Sequence, residues 1–374
     1  MAGIYIHIPF CKKACYYCNF HFSTSQNAMQ EMVNAICKEA SLRNDYLHDD
    51  IATIYFGGGT PSLLQIENLK LIIDKLCSLF KIDADVEITL EANPDDISKE
   101  KLLQWKQAGI NRLSIGVQSF FDDDLKWMNR AHNAEQAYKS ILLAKEFGFD
   151  NITIDLIYGT PTLTDENWLR NIEKTLQLNI PHLSCYALTV ETNTALHKMI
   201  HQHKKQNVDA EKQSRHFEML IQQLNNAGYE HYEISNFAKS GFRSKHNSSY
   251  WQGKPYLGLG PSAHSYNGDS RQWNVANNAL YIKSIDENIL PFEKETLSST
   301  QKINEYIMTS LRTIEGLSLQ QIKDLYCEKT SAGIFTDAQK FIQHSLMKNE
   351  NDFLILTDKG KLFADGIAAD LFRT

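Results

Sequence analysis

Short apolar runs alternate with amphipathic stretches through the first half of the chain. Residues 4–8, 52–56, 86–90, 112–117, 151–157 and 182–187 are short and apolar or β-branched, the pattern of parallel strands buried on both faces. Between them lie stretches with helical periodicity. Residues 62–76 repeat apolar positions at three and four, with Ser62 as the expected N-cap. A second helix opens at Ser98 and closes at Gly109, and a third runs over 134–147 and closes at Gly148. Six such β–α steps, joined by right-handed crossovers, predict an α/β fold: a parallel barrel or an open doubly wound sheet. Periodicity alone does not choose between the two.

The pattern changes from Leu188. Residues 197–216 are polar and rich in His and Lys, and a helix is expected over 214–227, ending at Gly228. Residues 229–295 carry many aromatics, Gly and Asn with weak periodicity, which reads as an irregular connecting region. The tail predicts helices over 300–313, 318–326 and 332–346, a hairpin at Phe353–Leu356 and a last helix to Leu371. That order is winged-helix-like and α+β. Residues 299–374 nevertheless hold nine Lys and Arg against ten Asp and Glu, so no basic recognition helix is present and a packing or lid role is expected. The expected domains are 1–228, 229–298 and 299–374.

At 374 residues the chain has room for two or three domains, and its 43% hydrophobic and 22% charged composition is that of a globular protein. No apolar run reaches the ~18 to 20 residues that span a bilayer. The first residues lack the basic and apolar regions of a secretory signal, so a cytoplasmic location is expected. A net charge of −7 argues against a general nucleic-acid binder. Seven cysteines in so long a chain do not make a disulfide framework. Cys37, Cys77, Cys185 and Cys327 are scattered singly and read as small hydrophobes.

The other three cysteines carry chemistry. Cys11, Cys15 and Cys18 form a C-x3-C-x2-C loop directly after the first strand. Thiolates are soft ligands for zinc or iron–sulfur clusters. Three of them clasp three corners of a cubane and leave its fourth iron open. A structural zinc site takes four protein ligands, so zinc requires His7 or His21 to complete the set. Two strand ends share a further signature, Phe56-Gly57-Gly58-Gly59-Thr60-Pro61-Ser62 and Tyr158-Gly159-Thr160-Pro161. A single Gly-Thr-Pro is turn punctuation. Three consecutive glycines imply that backbone approaches something closely.

The cysteine loop, preceded by Tyr5-Ile6-His7-Ile8-Pro9, resembles that of the radical S-adenosylmethionine (SAM) enzymes. The order of Glu91-Ala92-Asn93-Pro94, Gly116-Val117-Gln118-Ser119-Phe120, Asn129-Arg130, Ile154-Asp155 and the tail from Leu311 is similar to that of the oxygen-independent coproporphyrinogen III oxidase family. The resemblance implies a partial (β/α)6 TIM-like barrel with a [4Fe-4S] cluster on Cys11, Cys15 and Cys18 at its C-terminal mouth. It also implies SAM contacts from Tyr5, Tyr17, Gly58, Gly59, Thr60, Glu91, Gln118, Arg130 and Asp155. Those residue types suit the task, since a carboxylate meets an ammonium or ribose hydroxyls and a guanidinium meets a carboxylate.

Two departures matter. Phe20 stands where the oxidases of this family carry a fourth cysteine, and the segment ahead of the first strand is short. Both resemble the subgroup of HemW-type haem chaperones, as does His246-Asn247-Ser248-Ser249-Tyr250-Trp251, similar to that subgroup's H-N-x-x-Y-W motif. By this resemblance the chain binds haem and passes it to haem-accepting proteins, of which respiratory proteins are the implied class, with peripheral contact at membrane proteins. His246 is then the expected axial ligand, and Tyr250 and Trp251 are flat faces for the macrocycle. The alternative is a radical SAM catalyst that oxidatively decarboxylates coproporphyrinogen III, an enzymatic role that Phe20 argues against. His197, His201 and His203 lie in a Lys-rich segment without acidic or Cys partners and read as a solvated helix.

Overall fold

A computed structural model describes all residues, Met1–Thr374. Its first half is a run of parallel strands with helices between them. In chain order these are β1 (Ala2–Ile8), α1 (Met29–Leu42), β2 (Ile51–Gly58), α2 (Ile66–Leu79), β3 (Ile82–Ala92), α3 (Lys99–Gln107), β4 (Arg112–Gln118), α4 (Asp122–Met128), α5 (Ala134–Glu146), β5 (Ile152–Tyr158), α6 (Asp165–Gln177) and β6 (His182–Ala187). Each strand from β1 to β6 pairs in parallel with the next. Ser98 caps α3 through the backbone N–H of Lys101, and Asn133 forms a full capping box at α5. Gly109 and Gly148 follow their helices in the left-handed region, as the sequence predicts.

Ser62 does not cap a helix. It lies in a short 3-10 turn over Pro61–Leu63, and its hydroxyl donates to Asp96 Oδ2 at 2.8 Å. Helix α2 starts four residues later without a side-chain cap. After α7 (Ala195–His201), helix α8 (Ala210–Asn226) starts four residues earlier than its periodicity indicates, because Asp209 accepts from the N–H groups of Glu211 and Lys212.

The stretch 229–298 is not irregular. It folds as β7 (Glu230–Glu233), β8 (Asn236–Ala238), α9 (Lys245–Trp251), β9 (Tyr256–Leu259), β10 (His264–Tyr266), β11 (Ser270–Asn274), α10 (Asn278–Asp286) and β12 (Phe292–Thr296). These strands extend the barrel sheet at both edges, giving the order β12-β11-β10-β9-β1-β2-β3-β4-β5-β6-β8-β7. The barrel therefore stays open. Its outer edge on the β9 side is locked to α1 by a buried polar knot. Arg43 bonds Glu39, Ser265 and Gln272, while Glu39 accepts from Asn274 and Tyr281.

The tail is a separate α+β unit, with helices α11 (Ser299–Leu311), α12 (Leu319–Leu325) and α13 (Glu328–Gln343) around a small antiparallel sheet of β13 (Leu317–Ser318), β14 (Met347–Glu350) and β15 (Phe353–Leu356). Its core, including Ile307, Leu311, Ile322, Ile334, Leu354 and Leu371, is distinct from the barrel core. Ion pairs from Arg312 to Glu233 and from Arg243 to Glu315 hold it against the end of the sheet.

Candidate functional site

The C-terminal ends of β1 to β6 open into one cavity of about 490 Å³. Cys11, Cys15 and Cys18 line it together, on the loop that leaves β1. That loop is held from three sides. Thr60 donates to Cys11 Sγ at 3.5 Å, and Arg130 Nη1 donates to Cys15 Sγ and to Tyr17 Oη, both at 3.3 Å. Arg130 Nη2 reaches Asn93 Oδ1 at 2.7 Å and the Gly116 carbonyl at 2.9 Å, and Asn93 Nδ2 in turn donates to Thr60 Oγ1. A continuous polar belt thus joins the cysteine loop to the ends of β2, β3 and β4. Asn129, in the left-handed region at the end of α4, aims Arg130 inward and donates to the Ala14 carbonyl.

The triple glycine packs the loop. A Cβ on Gly59 would stand 2.6 Å from the Phe10 carbonyl oxygen and 2.8 Å from that of Ile8. What Gly59 approaches closely is the backbone leaving β1 just ahead of Cys11, while Gly58 lies against the His7 ring.

Of the nine residues expected around SAM, eight line the cavity: Tyr17, Gly58, Gly59, Thr60, Glu91, Gln118, Arg130 and Asp155. Tyr5 does not. Its hydroxyl pairs with His7 Nδ1 at 3.2 Å, and its ring stacks on Tyr55. Gln118 holds φ at 64°, a conformation uncommon for a residue with a side chain. Two carboxyls face the same space. Burial raises Glu91 from 4.5 to about 7, against the pull of its bond from Tyr55, and burial raises Asp155 from 3.8 to about 6. The lining also includes Asn93, Arg112, Ser184, Tyr186 and Asn247, which motif reading passed over. Asn93 belongs to the Glu91-Ala92-Asn93-Pro94 motif, whereas Arg112 reads from the sequence only as the start of a strand.

The donor set fits a cluster better than a single ion. Nowhere do three His, Cys, Asp or Glu side chains converge closely enough to hold one metal ion. His7 and His21, the candidates for a fourth zinc ligand, are turned elsewhere: His7 Nε2 bonds the His21 carbonyl, and His21 Nε2 bonds Asn278. Burial pushes the Cys18 thiol up to about 11 and raises Cys11 as well, so a cation is needed to hold them as thiolates.

The expected haem residues are placed differently. His246 is buried at the opposite end of the barrel, where α9 plugs the floor. Its Nδ1 pairs with Thr53 Oγ1 at 2.8 Å, its Nε2 with Tyr250 Oη at 2.9 Å, and its ring stacks on Tyr55 at 4.8 Å. Burial and the nearby Arg112 lower its pKa to about 3. Both ring nitrogens of His246 are thus occupied by hydroxyl partners, the arrangement of a structural histidine. Tyr250 meets Tyr256 edge-on, and Arg312 covers the Trp251 ring. Of that motif, Asn247 reaches the cavity. His197, His201 and His203 form no metal-holding group.

Residues 5–175 match the Radical SAM superfamily. The chain is similar over 99% of its length to the solved structure of coproporphyrinogen III oxidase (HemN) from Escherichia coli, described as a radical SAM enzyme, with a TM-score of 0.85 and 24% identity over 90% of that chain. That likeness establishes the fold. The "Heme chaperone HemW" of Bacillus subtilis is 36% identical over 98% of both chains, and that of Escherichia coli K12 is 30% identical over 98% of this chain and 96% of its own. The chain belongs to the HemW haem chaperone family within the radical SAM proteins. No helix is long and apolar enough to cross a membrane.

Proposed function

We propose that this protein holds a [4Fe-4S] cluster on Cys11, Cys15 and Cys18, binds SAM beside it, and carries haem to acceptor proteins, respiratory ones among them. The observation that carries the reading is the shared cavity, which brings three thiols together with Glu91, Gln118, Arg130 and Asp155. The haem part is supported by the name its relatives bear. A cluster bound there supplies one-electron chemistry and an open iron position. Thr60 and Arg130 would donate to the ligating sulfurs, Gly58 and Gly59 would keep the loop close, and Glu91 and Asp155 would meet a cationic ligand. The three units of the chain, 1–228, 229–298 and 299–374, would then serve as the cofactor-holding barrel, its edge extension and a cover.

The carboxyl pair gives this reading a pH signature. Glu91 and Asp155 bind protons more tightly in the fold than in the unfolded chain, so their burial costs stability progressively as pH rises from the ordinary carboxylate range to about 7. A cationic ligand reverses this by favouring the ionised forms. SAM binding to cluster-loaded protein is therefore expected to release protons below about pH 7 and to tighten as pH rises toward that value, levelling off above it. Calorimetry in buffers of different ionisation enthalpy reads the proton release directly. The Glu91→Gln variant should bind more weakly, with a flatter pH profile. Proton uptake, or an unchanged profile in the variant, would contradict this assignment.

The competing reading is catalytic. Phe20 stands 66% exposed at the cavity rim and offers no fourth thiol. With SAM and a low-potential reductant, the reconstituted protein is expected to form no harderoporphyrinogen or protoporphyrinogen from coproporphyrinogen III. Product accumulating over many turnovers per cluster would restore the oxidase reading.

A further inference from the structure

With His246 bonded at both nitrogens, the haem-carrying reading needs another axial ligand. Five histidines are fully engaged: His7, His182, His216, His231 and His246 each have both ring nitrogens in hydrogen bonds. His132 is buried, and His21 is held by Asn278. His48 sits just ahead of β2, at the end of the barrel away from the cavity, and His344 belongs to the tail unit. Near the cavity this leaves His264 and the α7 segment.

His264 stands out by its surroundings. Strands β10 and β11 alternate strictly. Ser265, Gln272 and Asn274 face the buried knot on α1, so His264, Tyr266, Arg271 and Trp273 share the opposite face. The register Tyr266↔Tyr256, Tyr256↔Gly3 and Gly258↔Tyr5 makes that face a continuation of the barrel's inner wall. At its Tyr266 end this face meets α11 of the tail unit, and at its other end His264 is exposed. No side chain or backbone group bonds the His264 ring, and the ring stacks on Trp273 at 6.2 Å and 30°. It lies close enough to His7 for the two imidazoles to interact, and His7 touches the cysteine loop through the His21 carbonyl. Arg271, paired with Glu305, brings a guanidinium to the edge of the same face.

We propose that His264 is the axial ligand of the haem this chain carries, with the macrocycle lying over the Tyr266–Trp273 face of β10 and β11 and Arg271 meeting one of its carboxylates. The proposal rests on the haem-carrying reading above. A free imidazole is among the axial ligands haem iron takes, beside thiolate, thioether and phenolate. Flat aromatic faces bury the ring, and a guanidinium suits a propionate. The α7 histidines have no aromatic ring stacked on their own; the Tyr16 and Trp127 rings that pack near α7 are covered by Lys205.

The test is titration of the full, cluster-loaded chain with ferric haem, followed by Soret absorption and magnetic circular dichroism. Wild type should show an imidazole-ligated spectrum. His264→Gly should lose it, with affinity falling about ten-fold or more, a change of roughly 1.4 kcal/mol per decade. Added free imidazole should restore the spectrum, which a merely structural role would not allow. His264→Met, as a second variant, should change the spin state. His246→Ala should lower the unfolding temperature yet keep the wild-type spectrum in its folded fraction. An imidazole signature that persists in His264→Gly and His264→Met overturns the proposal, as does one lost only in His246→Ala. Wild type that binds no haem saturably overturns the haem-carrying reading instead.

Discussion

Replacing any one of Cys11, Cys15 or Cys18 by alanine is expected to strip the anaerobically reconstituted chain of its iron and sulfide, whereas Cys77→Ala should retain both. The three loop thiols line one cavity with no other cysteine near enough to substitute, and Cys77 is exposed on α2, on the far side of the sheet. Cluster assembly needs all three corners, so loss at one is not graded. Iron, acid-labile sulfide and the charge-transfer absorption of the cluster measure the outcome. Stoichiometric zinc with no iron after strict anaerobic handling would instead favour the mononuclear alternative.

Arg130 should matter almost as much. Its guanidinium makes four contacts, to Cys15 Sγ, Tyr17 Oη, Asn93 Oδ1 and the Gly116 carbonyl, and it is the link between the cysteine loop and β4. Arg130→Met leaves buried acceptors unpaired at a cost of about 1–3 kcal/mol each, and Arg130→Lys keeps the charge but not the fork. Both variants are expected to lose most of their cluster on reconstitution and to bind SAM at least about ten-fold more weakly, Met more severely than Lys. The N–H bond to the Cys15 sulfur adds a separate readout. In whatever fraction of the Lys variant retains a cluster, the reduction potential should be more negative than in wild type, because hydrogen bonds to cluster sulfurs favour the reduced state. An Arg130→Lys protein with wild-type cluster content, SAM affinity and potential would show that the belt around the loop is not what holds the site.

Most of the barrel was legible from the sequence for a simple reason. Parallel strands buried on both faces are continuous apolar runs, and their helices close at glycines such as Gly109 and Gly148. The edge extension was not legible. Its strands are three to five residues long, and in β10 and β11 the buried positions are polar, Ser265, Gln272 and Asn274, because they face Arg43 and Glu39 rather than a greasy core. Ser62 misled for a related reason: its partner Asp96 lies 34 residues away, and a tertiary bond outranked the local cap.

The site divides along the same line. Cysteine spacing and strand-end motifs are local signals, so the loop and most of the cavity lining could be read directly. Asn93 and Arg112 acquire their roles only when β3 and β4 come together. His246 looked like a ligand beside two aromatics, but what occupies it is Thr53, 193 residues earlier, and Tyr55 stacked on its face. Sequence neighbours suggest a pocket; only the folded chain shows whether the nitrogens are already in use.

The account stands most directly on transfer. Full-length protein loaded with cluster and ferric haem would be mixed with the apo form of a soluble b-type cytochrome domain, and the Soret band of the acceptor followed in time. The account predicts that the acceptor's spectrum appears in full, faster than from the same concentration of haem held by serum albumin, while the cluster absorption stays intact. Haem that remains on the protein, or reaches the acceptor no faster than from albumin, would contradict it.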